Sequence, residues 1–154
     1  MRNFDEADKK KKRARIHIQE NPGNLSPEAL SQLGEKVKAS LQSGNLSCAT
    51  AFKIALDAGV PKVAVGEVTD RLGIRIANCQ IGCFKVDKAV HDNLDHVKID
   101  DGILATLETL NKNNELTCAN VFELAMKLKT TPRAIANVAN LKNLKVRHCQ
   151  LGCF

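Results

Sequence analysis

The chain has 154 residues, 44% hydrophobic and 26% charged, enough apolar content for a packed core and too much for a disordered chain. Twenty-three Lys and Arg stand against 17 Asp and Glu, a net charge of +6 that permits a polyanionic partner without demanding one. No stretch approaches the about 20 apolar residues of a membrane span, and Met1–Glu6 lacks the apolar core of a secretory signal, so a cytoplasmic protein without a membrane partner is expected.

Residues 1–22 carry seven basic and four acidic side chains, including the run Lys9 to Arg13. Residues 1–24 are therefore expected to form a flexible basic arm, either solvated or lying against phosphates. Ser26 then offers an N-cap, Pro27 suits a first helical turn, and Leu30, Leu33, Val37 and Leu41 lie on one face. Ser43-Gly44-Asn45 ends that helix. Ser47 caps a second, with Ala51, Phe52, Ala55 and Leu56 as its apolar positions and Gly59 as its left-handed stop. Pro61 opens a third helix, closed by Gly73, and Ile74-Arg75-Ile76 alternates as a short strand.

The pattern then recurs. Leu46-Ser47-Cys48-Ala49 through Cys79-Gln80-Ile81-Gly82-Cys83-Phe84 reappears seventy residues later as Leu116-Thr117-Cys118-Ala119 through Cys149-Gln150-Leu151-Gly152-Cys153-Phe154. Two copies are too few for a solenoid. The expected organisation is an arm, a first repeat over 25–84, a linker over 85–95 and a second repeat over 96–154. The fold class is mainly α, with three helices and a short terminal strand per repeat; in the second copy that strand is Leu144-Lys145-Val146.

Ile54-Ala55-Leu56-Asp57-Ala58-Gly59-Val60, followed by Val65 and Val68, resembles the bihelical core of prokaryotic helix-turn-helix DNA-binding proteins. Ala55 is small where two helices cross, Gly59 makes the turn, and Ile54, Ala58, Val60, Val65 and Val68 form the seam. Leu124, Ala125, Leu128, Ile135 and Val138 repeat the spacing. The second copy departs at Lys129, in place of the turn glycine, and at Thr130. The resemblance implies a tandem, winged or unwinged, regulator of transcription that binds double-stranded DNA. The same fold also serves protein interaction.

The two third helices differ in what they offer a duplex. The first presents Lys62, Gly66, Glu67, Thr69, Asp70 and Arg71, whose acids oppose phosphate approach, so it reads as a packing or homodimerisation unit. The second presents Arg133, Asn137, Asn140 and Lys142, with Lys129 before it and Lys145 after it. No acid follows Glu123. Arg, Lys and Asn suit phosphates and base edges, so DNA contact is expected from Lys129, Arg133, Asn137, Asn140, Lys142 and Lys145. A solvated polar face is the plain alternative.

Every cysteine belongs to the repeat: Cys48, Cys79 and Cys83, then Cys118, Cys149 and Cys153. Three thiols per copy leave metal ligation by zinc or an iron–sulfur cluster, thiol oxidation and simple burial open, and duplication copies core residues as faithfully as ligands. His17, His91, His96 and His148 accompany no nucleophile motif, so no enzyme is expected. The reading that results is a small DNA-binding regulator acting through its second repeat. Its rival is an interaction, metal-binding or redox-sensing module on the same fold.

Overall fold

A computed structural model describes residues 6–16, 19–83 and 101–154; the expected linker 85–95 lies outside them. The chain is mainly helical, with seven α-helices and two short strands among the described residues. It divides into two compact units, Met1–Cys79 with Gln150–Phe154, and Gln80–Cys149.

In the first unit, α1 (Glu6–Arg15) occupies the arm expected to be flexible. Asp8 and Lys12, four apart and so on one helical face, meet Arg75 at 2.8 Å and Asp70 at 2.5 Å. All four side chains are at most about a quarter exposed, which strengthens these pairs relative to surface ones. Helix α2 (Pro27–Ala39) begins as its sequence dictates, with the Ala29 N–H donating to Ser26 Oγ at 3.2 Å and proline in the first turn. It buries Leu33, Gly34 and Val37.

Strand β1 (Asn45–Ser47) leads directly into α3 (Cys48–Ala58), where the Thr50 N–H donates to Ser47 Oγ at 3.0 Å. Gly59 ends α3 at φ 63°, and the Val60 N–H closes the turn on the Ala55 carbonyl at 3.0 Å. Helix α4 (Lys62–Arg71) follows Pro61 and packs against α2 and α3. Its seam with α3 is built from Ile54, Ala55, Val65 and Val68, all buried, while Ala58 and Val60 are half-buried. Leu56, expected in the apolar set of α3, is instead 81% exposed. The face of α3 turned to α4 carries Ala51 and Ala55, and Leu56 lies about 100° round the helix from Ala55.

The expected strand is β2 (Arg75–Ala77), and it pairs in parallel with β1, Asn45 opposite Arg75 and Leu46 opposite Ile76. A wing would be an antiparallel hairpin beyond the third helix. No such hairpin follows α4 or α7 among the described residues.

In the second unit, α5 (Asp101–Lys112) precedes α6 (Cys118–Lys127) and α7 (Pro132–Leu141). Thr117 caps α6, accepting from the Asn120 N–H at 3.2 Å, and α7 packs against both α5 and α6. Leu107, Leu116, Val121, Ala125, Ile135, Val138 and Ala139 form its core; Leu128, expected in the seam, is 44% exposed. Leu144-Lys145-Val146 forms no strand: a single parallel bridge joins Thr117 to Arg147, with the Arg147 N–H donating to the Leu116 carbonyl at 2.9 Å.

The backbone repeats its left-handed positions. Gly44, Gly59, Gly73 and Gly82 have φ values of 76°, 63°, 69° and 78°; seventy residues on, Asn114, Lys129, Asn143 and Gly152 have 59°, 52°, 55° and 66°. Asn78 and His148, likewise seventy apart, have 49° and 50°. Most of the later set therefore hold a conformation that L side chains disfavour.

Candidate nucleic-acid interface

Helix α7 is set by a strong local signal. The Ala134 N–H donates to Thr131 Oγ1 at 3.1 Å, and Pro132 fills the first turn. The turn entering it needs a left-handed residue, and Lys129 takes that role at φ 52° while the Thr130 N–H donates to the Ala125 carbonyl at 2.9 Å. The turn is thus built like the one at Gly59 despite the missing glycine. Holding lysine there costs about 1–2 kcal/mol relative to glycine.

Of the six residues expected at a duplex, Lys129, Asn140, Lys142 and Lys145 are exposed. Lys129 precedes the helix, and Lys142 and Lys145 follow it. Asn137 and Arg133 are half-buried. The Arg133 guanidinium lies against Gly82, so closely that a Cβ on that glycine would come within 3.1 Å of it. Arg133 thus lies over the backbone of the Gln80–Cys83 turn at Gly82. Its long, planar head covers backbone while keeping its charge near the surface.

Arg147 and His148, two and three residues after Lys145, are also exposed. Glu123, the last acid in the sequence, is salt-bridged to Lys127 at 2.7 Å. Hydrogen bonding to that lysine and then its charge hold the Glu123 carboxyl below the usual carboxylate value. The acid is thereby matched by a cation of its own helix.

Helix α4 contrasts with α7. Lys62 Nζ donates to Gln150 Oε1 at 2.7 Å and stands 4.4 Å from the Phe52 ring centroid. Arg71 forks onto Glu67 at 2.7 and 2.9 Å, and Asp70 receives Lys12. Thr69 is fully buried, donating to the Val65 carbonyl at 2.5 Å. The polar groups of this helix are spent inside their own unit.

The cysteine triplets of the sequence are not triplets of the fold. Cys48 and Cys79 belong to the first unit with Cys153, whereas Cys118 and Cys149 belong to the second with Cys83. Cys48, Cys79 and Cys118 are buried, Cys149 and Cys153 half-buried, and Cys83 exposed. Among the described residues, no three of His, Cys, Asp and Glu come together as a metal site. No described helix is long and apolar enough to cross a membrane. Compared with known proteins, the chain matches no family model, no curated protein and no solved structure.

Proposed function

We propose that the protein is a small DNA-binding regulator built from two helix-turn-helix-like repeats, and that its second unit contacts double-stranded DNA. The observation that carries this reading is the cationic rim of α7. Lys129, Lys142 and Lys145 are exposed at its two ends, Asn140 is exposed on the helix, and no acid follows Glu123. A lysine held left-handed where glycine is cheaper adds to it, because strain of this kind collects at functional turns. The matched left-handed positions seventy residues apart support the repeat.

In this reading Lys129, Lys142 and Lys145 meet phosphates, and Asn140 with Asn137 reaches base edges, where asparagine is suited to adenine. Arg133 supports the site by packing. The engaged polar groups of α4 argue that the first unit takes no part. Fluorescence anisotropy on random duplexes at several salt concentrations tests the charge contribution. Lys142→Ala and Lys145→Ala should each weaken binding to every duplex and reduce the log–log salt slope by about one unit. Lys62→Ala should leave the slope unchanged. Binding at low salt no tighter than that of a neutral control protein would overturn the reading.

One observation favours a second function, protein interaction. Leu56 and Met126 occupy the same place in the two copies and are 81% and 76% exposed. Two large apolar side chains left in solvent at matched positions suit a partner surface better than a duplex. Loss of a pulled-down partner on changing both to Ser, with DNA affinity untouched, would favour that alternative.

A further inference from the structure

Each unit brings two cysteines to the same place beside a parallel backbone pairing. In the first unit Ser47 stands opposite Ala77 in the β1–β2 pair; in the second, the parallel bridge sets Thr117 opposite Arg147. One residue beyond the pairing, Cys48 and Cys118 open α3 and α6. Two residues beyond it, Cys79 and Cys149 each follow a left-handed residue, Asn78 at φ 49° and His148 at φ 50°. Parallel chains run about 4.8 Å apart and rise about 3.3 Å per residue, so an offset of one residue separates two Cα atoms by about 6 Å. A disulfide spans about 4.4–6.8 Å between Cα atoms. In the second unit the Cys118 N–H donates to the Arg147 carbonyl at 2.9 Å, so the pairing holds as far as the cysteine itself. The pairs are Cys48 with Cys79 and Cys118 with Cys149, each within one unit. Among the described residues no third His, Cys, Asp or Glu joins either pair as a metal site, and two thiols are what a disulfide needs.

We infer that Cys118 and Cys149 form a reversible dithiol site oxidised by a small-molecule disulfide, and that Cys48 and Cys79 are a shielded copy of it. Access separates the two. Cys149 is half-buried, whereas Cys118, Cys48 and Cys79 are buried. Exchange begins with the thiolate that can reach the reagent. Cys149, having lost its proton to water, attacks one sulfur of the incoming disulfide, whose S–S bond breaks as one thiolate departs. A mixed disulfide remains on Cys149. The Cys118 thiolate then attacks the Cys149 sulfur, and the second half of the reagent leaves. Two protein thiols are oxidised to one disulfide, one external disulfide is reduced to two thiols, and two protons pass to them through solvent. The new bond ties the first turn of α6 to the segment two residues beyond Arg147. In the first unit neither sulfur is open to the reagent, so that pair stays reduced while the unit is folded. The site does not rest on the DNA reading.

The test incubates the full chain, folded and reduced, with excess glutathione disulfide. Remaining thiols are then alkylated, and linked peptides are identified by mass spectrometry without reduction. A Cys118–Cys149 link should form at least about tenfold faster than a Cys48–Cys79 link, because access limits exchange. Cys83, exposed and outside both pairings, should carry only a mixed disulfide. Fragmentation between Cys149 and Cys153 assigns the linked sulfur. A Cys149 mixed disulfide that persists, a link from Cys149 to Cys83 or Cys153, or both pairs forming at one rate would overturn the proposal. Two variants order the steps. Cys118→Ser should arrest the reaction at the Cys149 mixed disulfide, and Cys149→Ser should leave Cys118 unreacted. Glutathione on Cys118 in the second variant, with helical circular dichroism retained, would refute the proposed order of attack. The first measurement uses the unaltered chain, so it does not depend on the variants folding. Neither measurement contains DNA, so failure here is separate from failure of the regulator reading.

Discussion

Replacing Gly66 by alanine sets two effects of opposite sign against each other. Position 66 lies in the middle of a ten-residue helix, where alanine is favoured over glycine by about 1 kcal/mol. Against that stands the new Cβ, which meets the Leu151 backbone and not the yielding tip of a side chain. Residues 150–154 must then shift. Full burial of Leu151 contributes about 2 kcal/mol, and the Lys62–Gln150 hydrogen bond about 1 kcal/mol more. The loss of about 3 kcal/mol outweighs the gain, leaving a net destabilisation of about 2 kcal/mol. For a unit of this size that lowers the melting temperature by about 10 °C. Differential scanning calorimetry is the suitable assay, because it resolves the two units if they melt separately. The sign should invert in a chain already carrying Leu151→Asp: with the segment displaced, Gly66→Ala should stabilise by about 1 kcal/mol. A Gly66→Ala protein that melts at or above its parent refutes the reasoning, since only helix propensity would then be acting.

Ala55 and Ala125 are each 2% exposed at the helix crossings, so Ala55→Leu and Ala125→Leu should each cost about 1–3 kcal/mol by overpacking, read as a shift in the urea midpoint. Helix α1 is held by two ion pairs of opposite sense, Asp8–Arg75 and Lys12–Asp70. Lys12→Ala should therefore raise amide exchange across Glu6–Arg15 without altering α3 or α4; unchanged protection would show that apolar contacts hold the helix.

Much of the fold is legible because its signals are local. Ser26, Ser47, Pro27 and Gly59 act within one turn of themselves, and each does in the structure what its chemistry requires. Arg75–Ala77 is legible as a strand, but its partner is not. Asn45–Ser47 is three residues long and follows a turn, so no alternation betrays it. Helix α1 escapes a reading by composition because the lysine run suggests a solvated tail, and its ion-pair partners Asp70 and Arg75 lie some sixty residues away. Exposure of Leu56 and Leu128 is hidden for a different reason. Helical spacing gives faces, and the width of the buried face depends on how many neighbours pack on it. At the candidate interface, Lys129, Asn140, Lys142 and Lys145 are exposed, whereas the neighbour of Arg133, Gly82, comes from a distant part of the chain that helical spacing does not reveal.

Gln150–Phe154, the end of the second sequence copy, folds with the first unit, and Gln80–Cys83, near the end of the first copy, belongs to the second. A sequence repeat states that two segments are alike; it carries no information on which copy each folds with. Because Gln150–Phe154 joins the first unit, α4 must admit a backbone, and glycine at position 66 is the residue that allows it. Lys62 is then committed to Gln150, while Asp70 is committed to α1. Ala136 in the second unit retains its Cβ and is itself buried, so α7 accepts its neighbours by another geometry, with Arg133 over Gly82. Asn140 of α7 is exposed and Asn137 half-buried, and the charged side chains after the helix are all basic. The polar groups of α4 are thus engaged within their own unit, whereas Asn140 on α7 and Lys129, Lys142 and Lys145 flanking it are exposed.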